Sequence, residues 1–149
     1  MRIAYVFDVP LPGTGADTEQ VVNTAAALAR RGHSLLLLVP GPDDGPADVD
    51  QLRDYYHVSG ELAVQQLRLR YRGLRLFEKW SHALRARRHP ALSAVDVVYT
   101  RNLPVAGALL RAGHRVVYEH FRPWGDQYPL LQPYLRWLLR HPALLGAVF

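Results

Sequence analysis

MRIAYVFDVPLPGTGADTEQVVNTAAALARRGHSLLLLV, residues 1–39, reads as strand, glycine-bearing loop, amphipathic helix, Gly-His stop and second strand. Residues 3–7 (IAYVF) form a short apolar run suited to a parallel strand buried on both faces. Residues 8–15 (DVPLPGTG) are turn-rich. From Asp17 onward, Val21, Ala25, Leu28 and Ala29 recur at helical spacing, and Gly32 ends the helix by accepting a left-handed conformation. Residues 35–39 (LLLLV) supply the next buried strand. This order implies a right-handed crossover in a parallel sheet. Ligands of such sheets bind at the carboxyl ends of the strands, where the glycine loop sits.

Working outward, residues 40–46 (PGPDDGP) read as loop, 48–56 as a short helix and 64–69 as a third strand. Between Leu74 and Arg88 the apolar positions 74, 77, 80 or 81, and 84 follow a helical period, and Pro90 stops the run. Residues 95–100 (VDVVYT) are strand-forming. Asn102 then caps a short helix reaching Ala112, with Pro104 tolerated in its first turn. Gly113-His114 closes that helix as Gly32-His33 closes the first, and 116–119 make the next strand. Two such junctions indicate successive α/β units without a fixed short repeat. Residues 120–129 (HFRPWGDQYP) read as loop and 130–140 as helix, with Pro133 near its start. The apolar run 143–149 reads as an opening buried strand, so a chain continuing past Phe149 is expected.

At 149 residues and 49% hydrophobic content the chain suffices for one domain with a real core. It has no cysteine, which excludes disulfide frameworks and Cys-ligated metals. The first apolar run stops at Asp8, too early for a signal peptide. No stretch approaches the ~20 apolar residues of a membrane span. A soluble, cytoplasmic protein is the expectation. Net charge is +5, and Lys79 is the only lysine. Arginine dominance beside abundant Ala, Leu, Gly and Pro reads as GC-rich coding rather than a nucleic-acid partner. The charge is nonetheless uneven. Arg68, Arg70, Arg72, Arg75, Lys79, Arg85, Arg87 and Arg88 interleave with apolar residues, giving a basic amphipathic segment. It suits either a surface helix with a solvated face or a peripheral dock on an anionic membrane.

Tests for familiar chemistry exclude more than they admit. No Gly-Lys-Ser/Thr follows the first strand, so there is no P-loop. The dinucleotide fingerprint is half met, because Thr18 stands where a third glycine belongs and the second strand ends Val39-Pro40 without an acid. Asp8 ends the first strand, but no second aspartate follows at Pro10 and no lysine partner is evident, so it reads as a loop-turn residue. There is no Gly-x-Ser-x-Gly elbow, and the seven histidines lack ligand spacing, so no metal site is expected. Gly13, Thr14 and Gly15 precede a helix N-terminus, a setting that favours phosphate. Arg101 and the pair Glu119-His120 follow other strands at the same edge. Three strand ends thus converge on one crevice.

The stretches 1–39 and 96–121 (DVVYTRNLPVAGALLRAGHRVVYEHF) resemble the N-terminal domain of family 4-type retaining glycosyltransferases. That family opens with a strand, a Pro/Gly-rich loop, a helix ending Arg-Gly-His and an apolar strand. It later carries an Asp-aliphatic strand and a strand ending in histidine. The resemblance implies a Rossmann-like parallel sheet flanked by helices, the N-terminal half of a GT-B fold, incomplete at its C-terminus. It implies that Gly13, Thr14 and Gly15 face the donor diphosphate and the acceptor, and that His120 is catalytic beside the transferred sugar. Arg101 and Glu119 would contact the acceptor or its loops. Many relatives have adjacent glycines where this chain has Gly13-Thr14-Gly15. A second domain, absent here, would hold the nucleotide with a glutamate pair, so this chain alone is expected to be inactive. The implied partners are a nucleotide-sugar donor, an unidentified acceptor and that missing domain. No metal or other cofactor is called for, since helix dipoles and basic groups can neutralise the leaving diphosphate. A non-catalytic Rossmann-like module binding an anion, a membrane or a partner chain stays open beside it. A different enzyme on the same sheet, such as an epimerase, is the remaining alternative.

Overall fold

A computed structural model describes residues 1–69, 73–119 and 127–148 of the chain. β1 (Arg2–Val6) sends alternate residues into different cores, Ala4 and Val6 to one and Ile3 and Tyr5 to the other. A strand covered on both faces needs no polar alternation, hence the unbroken apolar run. α1 (Ala16–Arg30) follows and ends at Gly32, whose φ is +85°. There the Gly32 N–H donates to Ala29 O at 2.9 Å and the His33 N–H to Leu28 O at 3.3 Å. A residue without Cβ takes that conformation at little cost.

β2 (Ser34–Gly41) pairs parallel with β1 and runs further than expected. The supposed loop 40–46 is therefore partly strand, and Gly45–Pro46 forms a short β3. α2 (Val49–Tyr56) is capped by the Asp48 carboxylate, which accepts the Gln51 N–H at 3.0 Å. β4 (Leu62–Arg68) is the third parallel strand, slightly earlier than the expected 64–69, and β3 lies antiparallel on it. Val39, Pro40 and Gly41 pair with β4 alone. A proline without N–H is tolerated where its strand has a neighbour on one side only.

The remaining elements are α3 (Arg75–Ala86), a 3-10 turn (Pro90–Ala94), β5 (Val97–Thr100) and α4 (Leu103–Arg111), then β6 (Val116–Glu119), a second 3-10 turn (Pro129–Leu131), α5 (Gln132–Leu139) and β7 (Leu144–Val148). Sheet order is β3-β4-β2-β1-β5-β6-β7, parallel throughout except for β3. Six parallel strands thus wind outward in both directions from β1 and β5, the doubly wound order of a Rossmann-like fold. α1 and α2 cover one face through residues such as Val21, Val22 and Leu52. α3, α4 and α5 cover the other through Ala83, Leu109 and Leu138.

Two elements form where the sequence predicts them but face differently. β7 pairs with β6, yet Leu145 and Val148 are exposed, because β7 is the edge strand. α3 packs through His82, Ala83 and Ala86 and turns Leu76, Phe77, Trp80 and Leu84 outward. Among the described residues no helix is long and apolar enough to cross a membrane.

Candidate functional site

The winding direction reverses between β1 and β5, and in open α/β sheets the crevice outside those carboxyl ends is the ligand position. Thr100 joins the two ends: its hydroxyl donates to Val6 O at 2.8 Å and accepts the Asn102 N–H at 3.1 Å. The Asn102 side chain in turn accepts the Val105 N–H at 2.9 Å and starts α4. A cleft of about 620 Å³ opens here, with Asp8, Arg101 and Asn102 on its strand side. Its flanks are apolar, Leu76 and Trp80 from α3 facing Leu103, Leu131 and Tyr134. The volume falls within the range usual for small-molecule sites.

Asp8 is more than a turn residue. The Lys79 ammonium lies 2.8 Å from its Oδ2, so the chain's single lysine is the partner the sequence did not reveal. The Asp8 side chain is only 8% exposed. Oδ2 is buried, and the ammonium stands off the direction of a hydrogen bond, so charge alone holds the pair. Beside it, in an adjoining hollow of about 450 Å³ that Asp8 and Lys79 share, lies His82. Its Nε2 is buried with no hydrogen-bond partner among the described residues. Burial pulls its pKa down to about 4, against the opposing pull of the Asp8 charge and a hydrogen bond with the Phe7 backbone. His82 is therefore neutral at physiological pH.

Arg101 and Glu119 come together at the carboxyl edge, as their positions after β5 and at the end of β6 predict. Their partners include each other and the scaffold. Arg101 Nη2 lies 3.4 Å from Glu119 Oε1, and both side chains are nearly buried. Tyr5 and Tyr99, with ring centroids 4.8 Å apart, donate to Glu119 Oε2 at 3.2 and 3.3 Å. Gln20 bridges the pair, donating to Glu119 Oε1 at 3.2 Å and accepting from Arg101 Nη1 at 3.2 Å. Burial and the Glu119 charge push the Tyr99 hydroxyl up to about 12 and the Tyr5 hydroxyl well above its ordinary range, so both remain donors. This network ties α1 to three strand ends and leaves Arg101 lining the cleft floor.

The glycine loop is held by protein groups. Gly13 N–H donates to the Tyr56 hydroxyl at 2.7 Å, and the Gly13 carbonyl accepts from Tyr56 at 2.9 Å and from Thr18 Oγ1 at 2.8 Å. Gly15 caps α1, and its carbonyl accepts the Thr18 and Glu19 N–H groups at 3.0 and 3.2 Å. Thr14 is exposed between them. A Cβ on Gly13 would press on Thr18 Cγ2 at 3.1 Å, so that glycine serves local packing. Asp17 and Glu19 in the first turn of α1 oppose an anion there. His120 lies outside the described residues.

A separate hollow of about 580 Å³ sits at the outer sheet edge beside Asp44, Arg85 and His89. Arg85 Nη2 bonds both Asp44 oxygens at 2.7 and 2.8 Å, so those charges are spent on each other. Among the described residues no three His, Asp or Glu side chains gather as metal ligands. Neither a model of a known protein family nor a curated protein matches the chain.

Proposed function

We propose that the chain is the acceptor-side, Rossmann-like part of a cytoplasmic glycosyltransferase that moves a sugar from a nucleotide-sugar donor to an acceptor with retention. One observation carries this reading: the cleft at the β1–β5 reversal, with a buried carboxylate, a guanidinium and an amide on its floor. The bond between the anomeric carbon and the diphosphate oxygen breaks as the acceptor oxygen bonds that carbon. The hydroxyl proton passes by way of the Asp8 carboxylate to the departing nucleoside diphosphate. Arg101 and Lys79 offer positive charge near the developing anion, and Asp8 offers an acceptor for the incoming hydroxyl. The donor's nucleotide would be held mainly by a further domain. The test is transfer by the encoded protein from a panel of sugar nucleotides, with His120→Ala as the variant. Loss of transfer with an unchanged melting temperature supports the reading, and undiminished transfer removes His120 from the site.

A second reading, a non-catalytic module peripheral to an anionic membrane, has its own observation in the outward apolar stripe of α3 amid basic residues.

A further inference from the structure

Resting on the reading of the cleft as an acceptor site, we propose that the acceptor is a lipid alcohol held in an anionic bilayer: α3 lies on the bilayer, and the alcohol enters along α3 to place its hydroxyl at Asp8.

The unexplained feature of the molecule is the outer face of α3. Leu76, Phe77, Trp80 and Leu84 are 65, 59, 39 and 45% exposed. At 3.6 residues per turn they make one stripe roughly 100° wide. Leu74, just before the helix, is 57% exposed as well. An ordinary surface helix points its large apolar side chains inward, and this one gives that place to Ala83 and Ala86. A contiguous exposed stripe of this kind marks an interaction surface.

Charge identifies the occupant. Between Arg68 and Arg88 the sequence has eight basic residues and one acid, Glu78. Lys79 and Arg85 are paired with Asp8 and Asp44, and the segment stays basic without them, with Arg87 and Arg88 directly after the helix. A second copy of the chain would set this basic segment against itself, where like charges repel. A flat surface that is anionic at its headgroups and apolar just beneath them matches both properties.

Geometry joins this face to the cleft. Leu76 and Trp80 belong to the stripe and also form one wall of the cleft that Asp8 lines. The opposite wall includes Leu131 and Tyr134, and Leu130 beside them is 95% exposed. Trp80 and Tyr134 can stack a sugar ring, but the aliphatic Leu76, Leu103 and Leu131 beside them suit an alkyl body. A hydroxyl carried on an alkyl body uses both the walls and the buried Asp8 carboxylate at their end.

The test uses the 149-residue chain with vesicles of phosphatidylcholine alone or of equimolar phosphatidylcholine and phosphatidylglycerol. Co-sedimentation with the anionic vesicles should exceed that with neutral ones by at least about ten-fold and fall as salt is raised. The exposed pair Phe77→Ser/Leu84→Ser, outside the cleft, should lower it by at least about ten-fold. Arg87→Glu/Arg88→Glu should do the same without touching an apolar residue. In calorimetry 1,2-dioctanoylglycerol should bind, glycerol should not, and Trp80→Ala should weaken the lipid about ten-fold. Equal sedimentation with both vesicles, unaffected variants, self-association lost in Phe77→Ser/Leu84→Ser, or glycerol binding as well as the lipid would each overturn the proposal. No sugar transfer enters these readouts, so a failed transfer assay counts against the enzyme reading alone.

Discussion

His82 faces Asp8 and the Phe7 backbone from α3, and Arg85 adds an opposing positive charge on the same helix. Its folded pKa of about 4 lies below the ordinary 6.5. The unfolded chain therefore binds more protons between those values, so stability is complete above the unfolded pKa and is lost as pH falls toward the folded one. About 2 kcal/mol should go between pH 7 and pH 5. Urea unfolding at the two pH values should show this loss in the wild type and a much flatter response in His82→Leu. Equal losses in both would place the sensitivity elsewhere. Asp44 and Asp96 do not interfere, because both are held below the ordinary 3.8, chiefly by backbone hydrogen bonds from Arg68 and Arg2, whereas His89, also lowered by burial, adds a loss of the same sign to both proteins. At this scale the sequence is least legible. Asp8 and Lys79 stand far apart in the chain, and nothing local to either signals that a crossover helix brings them to 2.8 Å. Arg101 and Glu119 are legible as strand-end residues, but their mutual pairing depends on β5 and β6 being neighbours.

Elements were far more readable, because periodicity and punctuation are local. Gly32 and Gly113, with φ of +85° and +84°, end their helices as their positions after arginine- and alanine-rich turns predict. Asn102 and Asp48 both cap. What hydropathy could not supply was the facing of α3. Its period is helical, but small alanines form its packed side against α4, and small side chains allow close helix approach. Facing is a matter of stability and can be measured. Leu84→Ser should change unfolding free energy by less than about 0.5 kcal/mol, as exposed substitutions do. Leu109→Ala on α4, fully buried, should cost about 2–5 kcal/mol. A loss of that size at Leu84 in urea unfolding would mean that the stripe is packed in the folded protein.

For the whole molecule, alternation of strands and helices with short Gly-His junctions was enough to give a parallel sheet and to locate its carboxyl edge. The place along that edge was not given, since glycine loop, arginine and acid all sit there. Strand order decides it: the reversal at β1 and β5 puts the cleft between α3 and α4 and the glycine loop on the α1 side. On the proposed reading, glycosyl transfer at that cleft would need the Asp8 carboxylate for the reaction more than for the fold. The most direct measurement is nucleoside diphosphate release from sugar nucleotides by the encoded protein, with and without Asp8→Asn. Release in the wild type, reduced about 100-fold or more in Asp8→Asn with the melting temperature within a few degrees, is the predicted result. No release by the wild type, or release undiminished by Asp8→Asn, would contradict it.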